Sequence, residues 1–183
     1  MSTFAAVMKY AIIAAGEGSR LAQEGIRSPK PLVEVAGEKL IDRLLRVFID
    51  NGASEVVAIC NEQMTDVQAR MRQIQDEGQV PFKFIVKSTP SSMHSMWELS
   101  RWLGDEPFVL TTVDTIFREP EFADYVKTFH SLISRGEADG LMGSPTLLTM
   151  RSLSTCLLMR RCISQVSSTA VMHPNISVVA STD

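Results

Sequence analysis

Residues 11–32 read "AIIAAGEGSRLAQEGIRSPKPL", and they decide the fold because an apolar run passes directly into glycines, an arginine and a lysine. Tyr10 to Ala15 is a short apolar segment ending at glycine, as expected of a buried parallel strand. Gly16 and Gly18 let the chain turn tightly and approach a ligand without Cβ interference, which leaves amide N–H groups to meet anionic oxygens. Arg20 adds a planar fork of donors and Lys30 a compact charge. Pro29 and Pro31 flank Lys30 and predict an extended segment from which the lysine reaches back over the loop. Together these groups suit a polyphosphate; "GEGSR" alone reads equally as a strand-to-helix turn with solvated basic residues.

Three further apolar runs predict strands: "EVVAIC" from Glu55, "FKFIV" from Phe82 and "FVLTTVD" from Phe108. Between them the period becomes helical. Leu40, Ile41, Leu44, Leu45 and Phe48 form one stripe, stopping at Asn51-Gly52. Met64, Val67, Met71 and Ile74 form a second, and Met93, Met96, Trp97 and Leu103 a third, with Ser91 or Ser92 as N-cap. Phe122, Val126, Phe129 and Ile133 form a fourth, ending at Gly136. All four stripes are expected in the core. Alternating strands and helices imply right-handed βαβ units and a mostly parallel sheet covered on both faces, whose ligands gather beyond the carboxyl ends of the strands.

The chain has 183 residues, enough for one ordinary α/β domain, with 45% hydrophobic and 21% charged residues. A net charge of −3 provides no basic field for a nucleic-acid backbone, so phosphate binding has to be local and the partner small. Cys60, Cys156 and Cys162 show no metal spacing and are odd in number, which suggests reduced thiols and a cytoplasmic setting. No apolar run of about 18 residues is present to span a membrane, and the first residues lack the pattern of a signal peptide. Residues 1–7 read as a short extension before the domain. Oligomeric state is not readable.

Two familiar phosphate motifs do not fit. A dinucleotide fingerprint needs a third glycine where Leu21 stands, and the second strand ends at Asn61 before Glu62; a P-loop needs G-K-[ST]. "AAGEGSRL" followed by "SPKPL" instead resembles the signature of nucleotidyltransferases that join a nucleoside monophosphate to a phosphorylated acceptor. These include sugar-1-phosphate nucleotidylyltransferases, phosphocholine cytidylyltransferases and molybdenum-cofactor guanylyltransferases. The resemblance covers about residues 9–143 and implies a three-layer α/β/α, Rossmann-like sheet of the glycosyltransferase-A-like kind, incomplete at the C-terminus. It implies that Ala15, Gly16, Gly18, Ser19 and Arg20 bind the phosphates of a nucleoside triphosphate and that Lys30 steadies the α-phosphate under attack. Asp114, in "LTTVDT", would hold magnesium, although the residue before it, often glycine in the family, is Val113. Thr89, Ser91 and Ser92 would contact base and ribose, or simply cap a helix; His94 has no role in this chemistry. The alternative is a non-catalytic or truncated nucleotide-binding module.

From Ser144 to Asp183 the composition changes: these forty residues contain no Gly, Lys, Glu, Phe, Tyr or Trp, and thirteen are Ser or Thr. "MRSLSTCLLMRRC" shows no clean period, so the domain is read as 8–143 followed by an atypical tail over 144–183. We treat translation out of frame as a hypothesis for this tail. It requires that a one-base shift of the gene restore a longer globular sequence, which sequencing the gene decides.

Overall fold

The computed structural model describes residues 8–16 and 28–143, and by their backbone the strands at 156–159, 170–173 and 176–179. The expected extension over 1–7 and the loop residues Gly18, Ser19 and Arg20 lie outside the described residues. β1 (Met8–Ala14) carries no charged side chain from Tyr10 onward because both its faces are covered there, whereas Lys9, only partly buried, pairs with Glu55 and Glu106. Tyr10, Ile12 and Ala14 enter one core cluster while Ala11 and Ile13 enter another.

A two-strand hairpin, β2 (Glu34–Val35) and β3 (Glu38–Lys39), leads into α1 (Leu40–Asp50). α1 buries Leu40, Ile41, Leu44, Leu45, Val47 and Phe48, so the first stripe lies in the core as expected. The helix stops where Gly52 adopts φ +78°, a conformation that disfavours other residues. Then follow β4 (Ala53–Cys60), α2 (Thr65–Glu77), β5 (Phe82–Val86), α3 (Ser92–Leu103), β6 (Phe108–Thr112) and α4 (Glu119–Ser134). β4, β1 and β6 are joined in parallel, with β5 parallel to β4 at the edge, in the order β5-β4-β1-β6. The chain steps outward from β1 through α1 and α2, then returns past β1 through α3. Right-handed crossovers therefore place α3 opposite α1 and α2, giving the three layers.

α3 departs from the expected stripe. Met93 and Trp97 are 72% and 61% exposed, while Ser95, Leu99 and Leu103 are buried and Met96 is partly covered. The expected stripe thus holds for Met96 and Leu103 but not for Met93 and Trp97, because the buried track runs at four-residue spacing through Ser95, which hydrophobicity does not mark. Ser95 is accommodated because its hydroxyl bonds that of Thr89 at 2.6 Å.

Beyond α4 the sheet continues with β7 (Gly140–Gly143), β8 (Cys156–Met159), β9 (Ala170–His173) and β10 (Ile176–Val179), all outside the parallel half. The full order is β5-β4-β1-β6-β8-β7-β10-β9, with β8 antiparallel to both β6 and β7. The tail thus supplies three strands where the sequence shows no period. "CLLM" is a continuous apolar run, which has no period to detect.

Cys60 is fully buried, and burial pushes its thiol up to about 11, so it stays protonated and a poor nucleophile at neutral pH. Among the described residues no helix is long and apolar enough to cross a membrane. Tyr10, Phe48 and Phe122 form the aromatic centre of the larger cluster, with ring centroids 4.5 Å apart for Tyr10 and Phe48 and 6.0 Å for Phe48 and Phe122. Phe48→Ala is expected to cost about 3–5 kcal/mol. Urea unfolding measures it, and an unchanged midpoint would contradict this account of the core.

Candidate functional site

The strand order reverses at β1, whose neighbours β4 and β6 lead to opposite ends of the sheet, so the switch point at which open α/β sheets take their ligands lies at the carboxyl ends of β1 and β6. Ala15 and Gly16 follow β1 there. Among the described residues, a Cβ at Gly16 would meet nothing within 4 Å. On the other strand, Ile13 pairs with Thr112 and the Val113 amide donates to the Ile13 carbonyl at 3.0 Å. This carries the pairing one residue past β6 and sets Asp114 level with the start of the loop after β1.

Lys30 reaches the same place from another direction. It opens a single 3₁₀ turn, Lys30–Leu32, closed by the Leu32 amide on the Pro29 carbonyl at 2.8 Å. The expected extended segment therefore holds only for Pro29, which has φ −55° and ψ 139°. Pro31 is buried, Leu32 and Val33 pack on the core, and this anchoring draws the chain into the turn.

Lys30 Nζ lies 2.5 Å from Asp114 Oδ2, with the two side chains 29% and 24% exposed. Burial pushes the Asp114 carboxyl up. Hydrogen bonds from Lys30 and Thr112, with the lysine charge, outweigh burial and hold it below its ordinary range. Asp114 is therefore a carboxylate at neutral pH. Thr112 and Thr115 hydroxyls lie 3.1 Å apart beside it, and the Thr115 amide donates to the Thr112 carbonyl at 3.1 Å, closing the turn that presents it.

Among the described residues no three His, Cys, Asp or Glu side chains converge to hold a metal. One ionised carboxylate beside hydroxyls fits the way magnesium is commonly held, through one or two carboxylates with substrate phosphates and water.

Thr89, Ser91 and Ser92 stand at the end of β5, two strands from β1, roughly 10 Å away at the usual strand spacing. Thr89 is committed to Ser95. Ser91 occupies the N-cap position of α3 but makes no side-chain cap bond; its hydroxyl lies 2.8 Å from His94 Nδ1. Ser92 is exposed. The structure thus brings Ala15, Gly16, Lys30 and Asp114 together, and sets the serine and threonine cluster apart on the same edge.

Sequence reasoning did not mark Asn61 and Ser88 as site residues. Asn61 Oδ1 accepts from the Gln63 amide at 2.9 Å and from the Ser88 hydroxyl at 3.0 Å, tying the loops after β4 and β5 together. Buried Gln68 clamps the same turn, donating to the carbonyls of Asn61 and Glu62. The available signal was position: Asn61 is the first residue past an apolar strand.

An α/β sheet with an ion pair at its switch point defines a class of small-ligand sites, and comparison with known proteins places it further. The family model described as the MobA-like NTP transferase domain matches residues 10–168, and the chain belongs to that family. It is 34% identical over 53 residues to the glucose-1-phosphate cytidylyltransferase of Salmonella typhimurium, a match covering 29% of this chain and 21% of the relative. It is 27% identical over 116 residues to the mannose-1-phosphate guanyltransferase of Hypocrea jecorina, covering 62% of this chain and 32% of the relative. The chain therefore spans well under half the length of these curated relatives. The inositol-1-phosphate CTP transferase from T. maritima has the same fold, with a TM-score of 0.59 at 15% identity over 84% of this chain and 71% of that one.

Asn61→Ala removes both bonds to Oδ1 and leaves the Gln63 amide without that partner. The expected cost is about 1–3 kcal/mol, with faster hydrogen exchange at Gln63 and in the loop at 87–91. Exchange unchanged in that loop would show that Asn61 does not organise it.

Proposed function

We propose that this chain moves a nucleoside monophosphate from a nucleoside triphosphate to a small phosphorylated acceptor, releasing pyrophosphate. The observation that carries the reading is the contact between Lys30 and Asp114 beyond the ends of β1 and β6. The family match and the sugar-phosphate acceptors named for its relatives support it and make a sugar 1-phosphate the first acceptor to try.

An acceptor phosphate oxygen attacks the α-phosphorus, the bond from that phosphorus to the β-phosphate bridging oxygen breaks, and pyrophosphate departs with its electron pair. The nucleophile is already an anion, so no general base is needed, and His94 keeps no role. What the protein supplies is alignment and charge neutralisation. Lys30 offers three donors to the α-phosphate oxygens, the backbone at Ala15 and Gly16 would face the phosphates from the end of β1, and Arg20 with Ser19 and Gly18 would complete the cradle. Magnesium, when bound, would neutralise the triphosphate; Asp114 would hold it, with Thr112 fixing the carboxylate. Thr89, Ser91 and Ser92 are assigned to the nucleoside. The chain's net charge of −3 makes these local cations the main attraction for the triphosphate.

Removing a preorganised charge donor of this kind costs about 10²–10³ in rate. Lys30→Ala should therefore reduce pyrophosphate release by that factor, assayed with each of the four ribonucleoside triphosphates, magnesium and a panel of sugar 1-phosphates. Its circular dichroism and melting should stay close to those of the parent. A folded Lys30→Ala protein with undiminished turnover would overturn the assignment.

A further inference from the structure

Arg43 is prominent in neither the sequence motif nor the site, yet it grips the loop that presents Asp114. From α1 its Nη2 donates to the Phe117 carbonyl at 2.8 Å, and its guanidinium carbon lies 5.1 Å from the Phe117 ring centroid. Glu119 lies 4.0 Å from the same nitrogen. The Phe117 ring in turn stacks on Phe122, with centroids 4.3 Å apart and planes 12° from parallel. The loop between β6 and α4 is thus pinned at its front by the Thr112–Thr115 turn and at its back by Arg43.

The arrangement is costly for an arginine. Its side chain is only 13% exposed, and its Nη1 is buried with no hydrogen-bond partner among the described residues. A buried guanidinium donor left unmatched opposes folding, so maximal hydrogen bonding does not explain the position. What the arginine does there is fix Phe117.

One turn along α1, Arg46 forks between Glu38 on the hairpin and Glu119 at the start of α4, at 3.0 and 2.8 Å. Glu38 follows the segment that bears Lys30, and Glu119 follows the loop that bears Asp114. α1 therefore holds both chain segments that supply the ion pair. Arg46 is 42% exposed and water weakens its bonds, whereas Arg43 acts where water is largely excluded.

We propose that Arg43 is a positioning residue that acts through Phe117 to hold the Asp114 carboxylate against Lys30. The proposal rests on the reading of Lys30 and Asp114 as the working pair of the site. Lysine is an incomplete substitute, because it can donate to the carbonyl but has no planar face to lay on the ring.

The test measures the pair without nucleotide. The full chain and its Arg43→Met, Arg43→Lys, Arg46→Met and Asp114→Asn variants are acetylated with limiting N-hydroxysuccinimide acetate. The rate at each lysine is read by peptide mass spectrometry, alongside the melting temperature. Acylation needs an amine the reagent can approach, so a lysine whose Nζ is held against a carboxylate on a half-buried turn reacts slowly. Lys30 is expected to be protected in the parent relative to exposed Lys127. It should react severalfold faster in Arg43→Met, approaching Asp114→Asn, partly regain protection in Arg43→Lys, and stay close to the parent in Arg46→Met.

An unchanged Lys30 rate in folded Arg43→Met overturns the proposal, as does an equal rise at every lysine, which would be general loosening. Lack of protection at Lys30 in the parent overturns it as well. Should Arg43→Met fail to fold, Arg43→Lys decides: a raised Lys30 rate supports the proposal and a parental rate overturns it. Absence of turnover in the parent bears on the transfer reaction alone and leaves this readout intact.

Discussion

β1 is hydrogen-bonded in parallel along both edges, to β4 on one side and β6 on the other, and the site depends on that double pairing. From Tyr10 to Ala14, where the strand is covered on both faces, no charged side chain is present, so the charged groups of the site stand on the segments beyond it. The same pairing fixes the height of Asp114, since the register from Ile13 to Thr112 continues through the Val113 amide. The place of the site is therefore a consequence of strand order rather than a separate construction, and the loops around it are free to carry ligand-binding groups.

The Lys30–Asp114 contact is better understood as preparation for a ligand than as a source of stability. Partly buried pairs gain Coulomb energy but lose hydration, and the balance is close to neutral. What the pair does accomplish is to keep a carboxylate ionised and a lysine aimed at one point. The surrounding framework is built to hold those positions. Pro31 is buried beneath the turn that bears Lys30, the Thr112–Thr115 turn presents Asp114, and α1 joins both segments.

The parallel half of the fold was legible in the sequence because each strand is a short apolar run and each helix but one shows a single stripe. α1 illustrates this: its buried face, and its end at Asn51-Gly52, follow from residue type alone. α3 was misread because two tracks share its four-residue spacing, and the buried one runs through Ser95, whose hydroxyl is satisfied by a residue outside the helix. The 3₁₀ turn at Lys30 was not legible since it depends on burial of Pro31 against the core. The strands at 156–159, 170–173 and 176–179 were missed because local periodicity does not report pairing partners distant in sequence. At the site, Lys30 and Asp114 were named through resemblance, and the structure adds their contact. The roles of Asn61 and Arg43 appear only in three dimensions, each residue joining segments that the sequence keeps apart.

The central claim is that this switch point receives a nucleoside triphosphate together with magnesium, and thermal stabilisation tests it most directly. The purified chain is melted with each of the four ribonucleoside triphosphates, with and without magnesium. At a hundredfold excess over the dissociation constant, binding adds about 2.7 kcal/mol, or roughly 5–10 °C for a protein of this size. The account predicts such a shift for at least one triphosphate, dependent on magnesium and lost in Asp114→Asn. A folded chain whose melting temperature none of the four changes would contradict it.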